Sequence, residues 1–144
     1  MTISNVMRLA LGHRVRAIAK YADHAEEIQR RVLSKLLAQA VNTEWGERYA
    51  YAQLKNYEQF AATVPVNTYE ELKDFIDRMR HGESNVLWPG RVKWYAKSSG
   101  TTNDKSKFIP VSADGLKDTH YAGGTDAVAL YLDNYRDARL FEGR

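Results

Sequence analysis

The hydrophobic period of this chain switches from helical to alternating at Pro89-Gly90, and that switch limits what it can fold into. Upstream, apolar residues recur at helical spacing in stretch after stretch. Met7, Leu11, Val15, Ile18 and Ala22 form one stripe. Asp23-His24-Ala25-Glu26 reads as a capping box opening a second helix, with Ile28, Val32, Leu36 and Ala40 as its buried face, widened by Leu33 and Leu37, and a fade near Asn42. Asn56 to Gln59 caps a short helix through Ala62. Thr68 to Glu71 is a fuller capping box, followed by Leu72, Phe75, Ile76 and Met79 before Gly82 stops the helix. Downstream of the turn, Val92, Trp94 and Ala96 alternate with Lys93, Tyr95 and Lys97, so a strand is expected over 92–97. A loop over 98–106 leads to a second strand over 107–111, and Ser112 caps a helix from Ala113 to about Tyr135. Gly123-Gly124 inside that helix costs about 1 kcal/mol per glycine relative to alanine, and close approach of another backbone is the preferred reason. The class is therefore α/β: an N-terminal helical layer followed by the first strands of a sheet. A pair of strands makes a poor sheet for so many helices, so the chain reads as stopping partway through a fold.

Size and composition exclude several functions. At 144 residues the chain is one domain by length, with a core that needs no staples. It has no cysteine, which removes disulfide and thiolate chemistry. His13, His24, His81 and His120 lie far apart and lack metal-ligand spacing. The net charge of +3 is mild, and acidic residues are interspersed with the basic ones, so the surface reads as solvated and no nucleic-acid partner is implied. No apolar run reaches the roughly 18 residues of a membrane helix, and no membrane partner is expected. Residues 1–22 are basic and free of acid, faintly like an organellar presequence. Docking of that helix on its own domain is preferred, because presequences are usually richer in serine. With no apolar secretory core, the expected location is cytoplasmic. The segment from Asn42 to Leu54 reads as a loop, in which Trp45, Tyr49 and Tyr51 around the breaker Gly46 form an aromatic plug over a core edge rather than a base-stacking platform.

The chemistry concentrates in "KWYAKSSGTTNDKSKFIPVS", Lys93 to Ser112. Gly100 lets the main chain approach a ligand, and successive N–H groups in such a turn can form an anion nest. Ser98, Ser99, Thr101 and Thr102 add short hydroxyl donors. Lys105 and Lys107 bring charge that strengthens hydrogen bonds to phosphate. Composition alone leaves a solvated hairpin loop equally open, since these are ordinary turn residues. A Walker loop is excluded: the second glycine is missing, the spacing is one residue short, and a strand follows where a helix is required.

"SSGTTNDKSKFIP" resembles the nucleotide motif of acyl-adenylate-forming enzymes, in the version of the auxin-responsive-promoter family of acyl acid–amido synthetases. That pattern has an SSGTT or SSGTS core, a short turn, a lysine and an apolar-apolar-proline run. Here these are Ser98 to Thr102, Asn103 to Ser106, Lys107, and Phe108-Ile109-Pro110. The Val-Pro-Val, Tyr-Glu-x-Leu, Gly-Glu and Trp-Pro-Gly segments that precede the loop follow the same family order, so the likeness covers about residues 30–115. Asn103-Asp104 stand where some members carry glycine; both tolerate left-handed backbone, but Asp104 adds negative charge near the phosphates.

The resemblance implies a reaction in which ATP and a carboxylic acid give an acyl-adenylate and pyrophosphate, after which an amino acid displaces AMP to form an amide. It implies ATP with Mg²⁺ as the cofactors, phosphate binding by Ser98, Ser99, Gly100, Thr101 and Thr102, and Lys107 as the catalytic lysine that offsets the charge of departing pyrophosphate. Lys105 either assists or faces solvent. The metal ligands are not identified. Family members are several times longer, so the expected organisation is a partial N-terminal adenylation domain over 1–144. It comprises a helical layer (1–82), a strand-loop-strand with the phosphate loop (90–112) and a helix (113–135). Such a piece alone is expected to be inactive until joined by the missing C-terminal part of the enzyme. The competing reading is a non-enzymatic remnant or interaction module that pairs with another polypeptide.

Overall fold

The structure, a computed structural model, describes residues 2–98 and 106–142. The chain divides into two compact units, Met1–Ile28 with Asp114–Arg144, and Gln29–Ala113. The α/β class holds: helices dominate, and β1 (Trp94–Lys97) pairs antiparallel with β2 (Phe108–Val111) in a two-stranded sheet.

The boundary between the units falls inside α1 (Ile3–Ala40), which joins the two helices expected at the N-terminus. The break between them survives as His24, whose backbone is non-helical (φ −129°, ψ 22°), one residue past the expected cap Asp23.

In the first unit, the N-terminal half of α1 is docked on its own domain. Arg14 makes a two-pronged ion pair with Asp126, at 2.7 and 2.9 Å, and Arg8 donates to the Leu132 carbonyl at 2.7 Å and the Arg136 carbonyl at 2.8 Å. Arg8 thus satisfies carbonyls that a helix C-terminus leaves without partners. The helix expected from Ala113 is continuous to Asn134 but not uniform. It begins as α5 (Ala113–Gly115), widens to a π-helical stretch over Leu116–Tyr121, and returns to α geometry as α6 (Ala122–Asn134). The close backbone approach expected at Gly123-Gly124 is absent among the described residues: a Cβ on either glycine would meet nothing within 4 Å.

The second unit holds two packed regions. At the C-terminal end of α1, Leu37 and Ala40 are buried, whereas Val32 and Leu36 of the expected face remain exposed. Thr43 caps α2 (Glu44–Arg48) by accepting the Gly46 N–H at 2.9 Å. The Glu44 and Trp45 N–H groups find carbonyl partners far along the chain, at Asn85 (2.8 Å) and Val86 (3.0 Å). A short 3₁₀ turn (Tyr51–Gln53) and α3 (Tyr57–Thr63) follow, the latter capped by Asn56 as expected. Helix α4 (Tyr69–Arg80) carries the full capping box: Thr68 accepts from the Glu71 N–H, and the Glu71 carboxylate accepts from the Thr68 N–H at 2.6 Å. Backbone and side-chain hydrogen bonds from Thr68 lower the Glu71 pKa. Gly82, at φ 98°, ends the helix. Met79, Val86 and Val92 form a core to which Phe75, Leu87, Trp88 and Tyr95 add. Asn85 closes the Pro89-Gly90 turn by accepting the Gly90 N–H at 2.7 Å.

Candidate functional site

Of the residues singled out in the loop, Ser98 and Lys107 are described; Ser99, Gly100, Thr101, Thr102 and Lys105 lie outside the described residues. The hairpin brings these two face to face. Trp94 pairs with Val111, Tyr95 with Pro110, Ala96 with Ile109 and Lys97 with Phe108, which makes Ser98 and Lys107 the next opposed pair. The Ser98 N–H donates to the Lys107 carbonyl at 3.0 Å. In return, the Lys107 N–H donates at 3.1 Å to the Ser98 hydroxyl oxygen rather than to the Ser98 carbonyl. The last rung of the ladder is therefore half backbone and half side chain. This exchange orients the Ser98 hydroxyl, because its oxygen is an acceptor inside the ladder and, among the described residues, its proton remains to donate.

Alternation puts Trp94, Ala96, Ile109 and Val111 on one face of the sheet and Tyr95, Lys97, Phe108 and Pro110 on the other. Helix α4 covers the second face. The Arg80 guanidinium lies 3.7 Å from the Phe108 ring centroid, and the Tyr69 hydroxyl accepts the Phe108 N–H at 3.0 Å. The Lys107 ammonium sits 5.4 Å from the Tyr69 ring centroid. Tyr69 and Arg80 were not legible as site residues: they stand 38 and 28 residues before Lys107 and Phe108 respectively, and read as helix positions. The first face is open, with Trp94 and Ile109 each about half exposed.

The surrounding charge is largely paired. Arg78 binds Glu44 at 2.6 Å and also Glu83, and its hydrogen bond lowers the Glu83 pKa. Arg80 pairs with Asp77 at 2.9 Å. A cavity of about 440 Å³ opens beside α4 and β1, lined by Met79, Arg80, Arg91, Lys93, Tyr95 and Phe108. Burial there raises the Tyr95 pKa against the opposing pull of Arg80 and Arg91. Trp45, by contrast, packs against Tyr49 (4.8 Å between ring centroids) and edge-on to Phe75 (5.4 Å), which is the aromatic plug expected for that segment. Among the described residues no group of three histidine or acidic side chains is placed to hold a metal ion, and no helix is long and apolar enough to cross a membrane.

Helices packed on a two-stranded antiparallel hairpin define the class as α/β. The family model described as "GH3 family N-terminal domain" matches residues 14–143, and the chain belongs to that family. It is similar to indole-3-acetic acid-amido synthetase GH3.6 of Arabidopsis thaliana, 29% identical over 105 residues that cover 72% of this chain and 17% of the relative. The probable indole-3-acetic acid-amido synthetase GH3.2 of Oryza sativa subsp. japonica is 34% identical over 63% of this chain and 15% of its own length. Indole-3-acetic acid-amido synthetase GH3.17 of Arabidopsis thaliana is 33% identical over 65% of this chain and 16% of its own length. The chain thus spans about a sixth of the length of the curated relatives it matches.

Proposed function

We propose that this chain supplies the ATP-phosphate grip of a synthetase that adenylates a carboxylic acid and transfers the acyl group to an amino acid. The observation that carries the reading is the mutual hydrogen bonding of Ser98 and Lys107 at the mouth of the loop. It leaves one hydroxyl proton and one ammonium at the point where an SSGTT loop would meet phosphate. Lys107 forms no ion pair with a carboxylate among the described residues, so its charge is free for an anion. In the reaction the substrate carboxylate attacks the α-phosphorus of Mg·ATP and pyrophosphate leaves. The amino acid nitrogen then attacks the acyl carbon and AMP departs. Ser98, Ser99, Thr101 and Thr102 hold the β and γ phosphates, Gly100 admits the backbone to them, and Lys107 offsets the charge of the leaving pyrophosphate, while Lys105 either assists or faces solvent. Mg²⁺ enters with the nucleotide. Indole-3-acetate is the first acid to try, since the relatives are named for it.

Residues 1–144 act as a partial N-terminal adenylation domain: a helical layer over 1–82, the strand-loop-strand over 90–112 and the helix over 113–135. A phosphate loop does not by itself bind adenine, shape an acid pocket or admit an amine, so turnover requires further polypeptide. The open sheet face supports that requirement, because it leaves the apolar side chains of Trp94 and Ile109 half exposed. The same face suits the second reading, an interaction module whose sheet is completed by a separate polypeptide. Titration calorimetry of the chain with Mg·ATP, pyrophosphate and AMP tests the grip: pyrophosphate and ATP binding that weakens in Lys107→Ala supports it. Equal binding of AMP, insensitive to Lys107, would remove it.

A further inference from the structure

A lysine ammonium on a flexible four-carbon stem is useful to a phosphate only if something holds it in place, and the Ser98–Lys107 rung holds the backbone, not the side chain. Since Ser98 and Lys107 form a hydrogen-bonded pair, the neighbouring pair, Lys97 and Phe108, is the non-hydrogen-bonded kind, and the Phe108 N–H points away from β1. That N–H on the free edge is taken by the Tyr69 hydroxyl at 3.0 Å. The ring of the same tyrosine lies 5.4 Å from the Lys107 ammonium, within cation–π range. One side chain therefore grips the strand through its oxygen and the lysine through its π face.

Tyr69 is itself held on both sides. It is the first residue of α4, directly after the capping-box residue Thr68, so the reciprocal Thr68–Glu71 bonds set the backbone from which it projects. At the other end of α4, Arg80 stacks at 3.7 Å on Phe108, the residue whose N–H Tyr69 receives. We propose that Tyr69 is a positioning residue: its ring and hydroxyl, held on the capped start of α4, fix where the Lys107 ammonium meets the nucleotide phosphates. The proposal rests on the phosphate-grip reading given above, and it adds to it a residue far from the loop in sequence.

The test uses the full 144-residue chain. Mg·ATP affinity is measured for wild type, Tyr69→Leu, Tyr69→Phe, Lys107→Ala and the Tyr69→Leu/Lys107→Ala double variant, alongside the ¹H–¹³C shifts of the Lys107 ε-methylene. Tyr69→Leu is expected to weaken Mg·ATP about three- to five-fold in the presence of Lys107, the range of an exposed cation–π contact, and to have no further effect once Lys107 is alanine. The ring-current shift of the ε-methylene should vanish in Tyr69→Leu and persist in Tyr69→Phe, which keeps the ring and also reports on folding. An additive double variant, or an ε-methylene shift unchanged by Tyr69→Leu, would overturn the proposal. Should Lys107→Ala leave Mg·ATP binding intact, the phosphate-grip reading fails instead, and the methylene shift alone then decides whether Tyr69 positions the lysine.

Discussion

Gly46 sits where packing leaves no room for a Cβ. A Cβ there would lie 2.0 Å from the Ala40 carbonyl oxygen and 2.9 Å from its carbon, both of them backbone atoms that no rotamer change can move. Gly46→Ala should destabilise the chain by about 2–3 kcal/mol, the upper part of the overpacking range, read as a lowered urea midpoint with unchanged slope. In the sequence this glycine reads as a helix breaker; it lies inside α2, and its reason is steric, set by a neighbour that periodicity does not reveal. Ser98 shows the reverse case, since its place beside Lys107 was legible from the motif but its bonding was not. Because its oxygen accepts the Lys107 N–H, Ser98→Ala removes both the closing bond and the hydroxyl proposed to bind phosphate. Calorimetry should find Mg·ATP weakened about ten-fold, the scale of a charge-assisted hydrogen bond, with Ser98→Thr close to wild type.

Among elements, those with local signals were legible. Asn56 and Thr68 cap α3 and α4 where the sequence places them, because a cap is a contact between residues three apart. The sequence over helix α2 has the signals of a loop: its first N–H groups bond to the carbonyls of Asn85 and Val86, some 40 residues away, and that rescue leaves no mark in a short window. Strand β1 begins at Trp94 rather than Val92, since pairing with Val111 starts there and Val92 is buried in the core before it. The link between α1 and α6 has its own pH signature. A hydrogen bond from Arg14, with its charge, holds the Asp126 carboxyl below the usual carboxylate range. Unfolded, that group titrates near pH ~4, so its contribution is complete above that pH and fades as pH falls through the lowered folded value. Asp126→Asn should accordingly melt below wild type at pH 7, with the gap closing as pH falls through the lowered folded value. A gap unchanged by acid would show that the pair contributes through shape rather than charge.

At the scale of the whole molecule, family membership was legible because the loop and its lead-in occur in one order along the chain, and residues 14–143 match the family's N-terminal domain. The division into two units was not, because it depends on Arg14 meeting Asp126 and Arg8 meeting Leu132, contacts more than a hundred residues apart. The open sheet face and the share of the relatives that the chain covers are the reasons the proposed activity is assigned to this chain together with further polypeptide. The central claim is that this chain carries the phosphate grip of an acid-adenylating synthetase. Its most direct test is ATP–pyrophosphate exchange with a panel of carboxylic acids including indole-3-acetate. The assay compares the chain alone with a polypeptide extended through the reading frame downstream of Arg144, each with Lys107→Ala beside it. The account predicts acid-dependent exchange in the extended polypeptide, at least ten-fold reduced by Lys107→Ala, and little in the chain alone. A folded extended polypeptide that exchanges with no acid, or exchanges equally without Lys107, would contradict it.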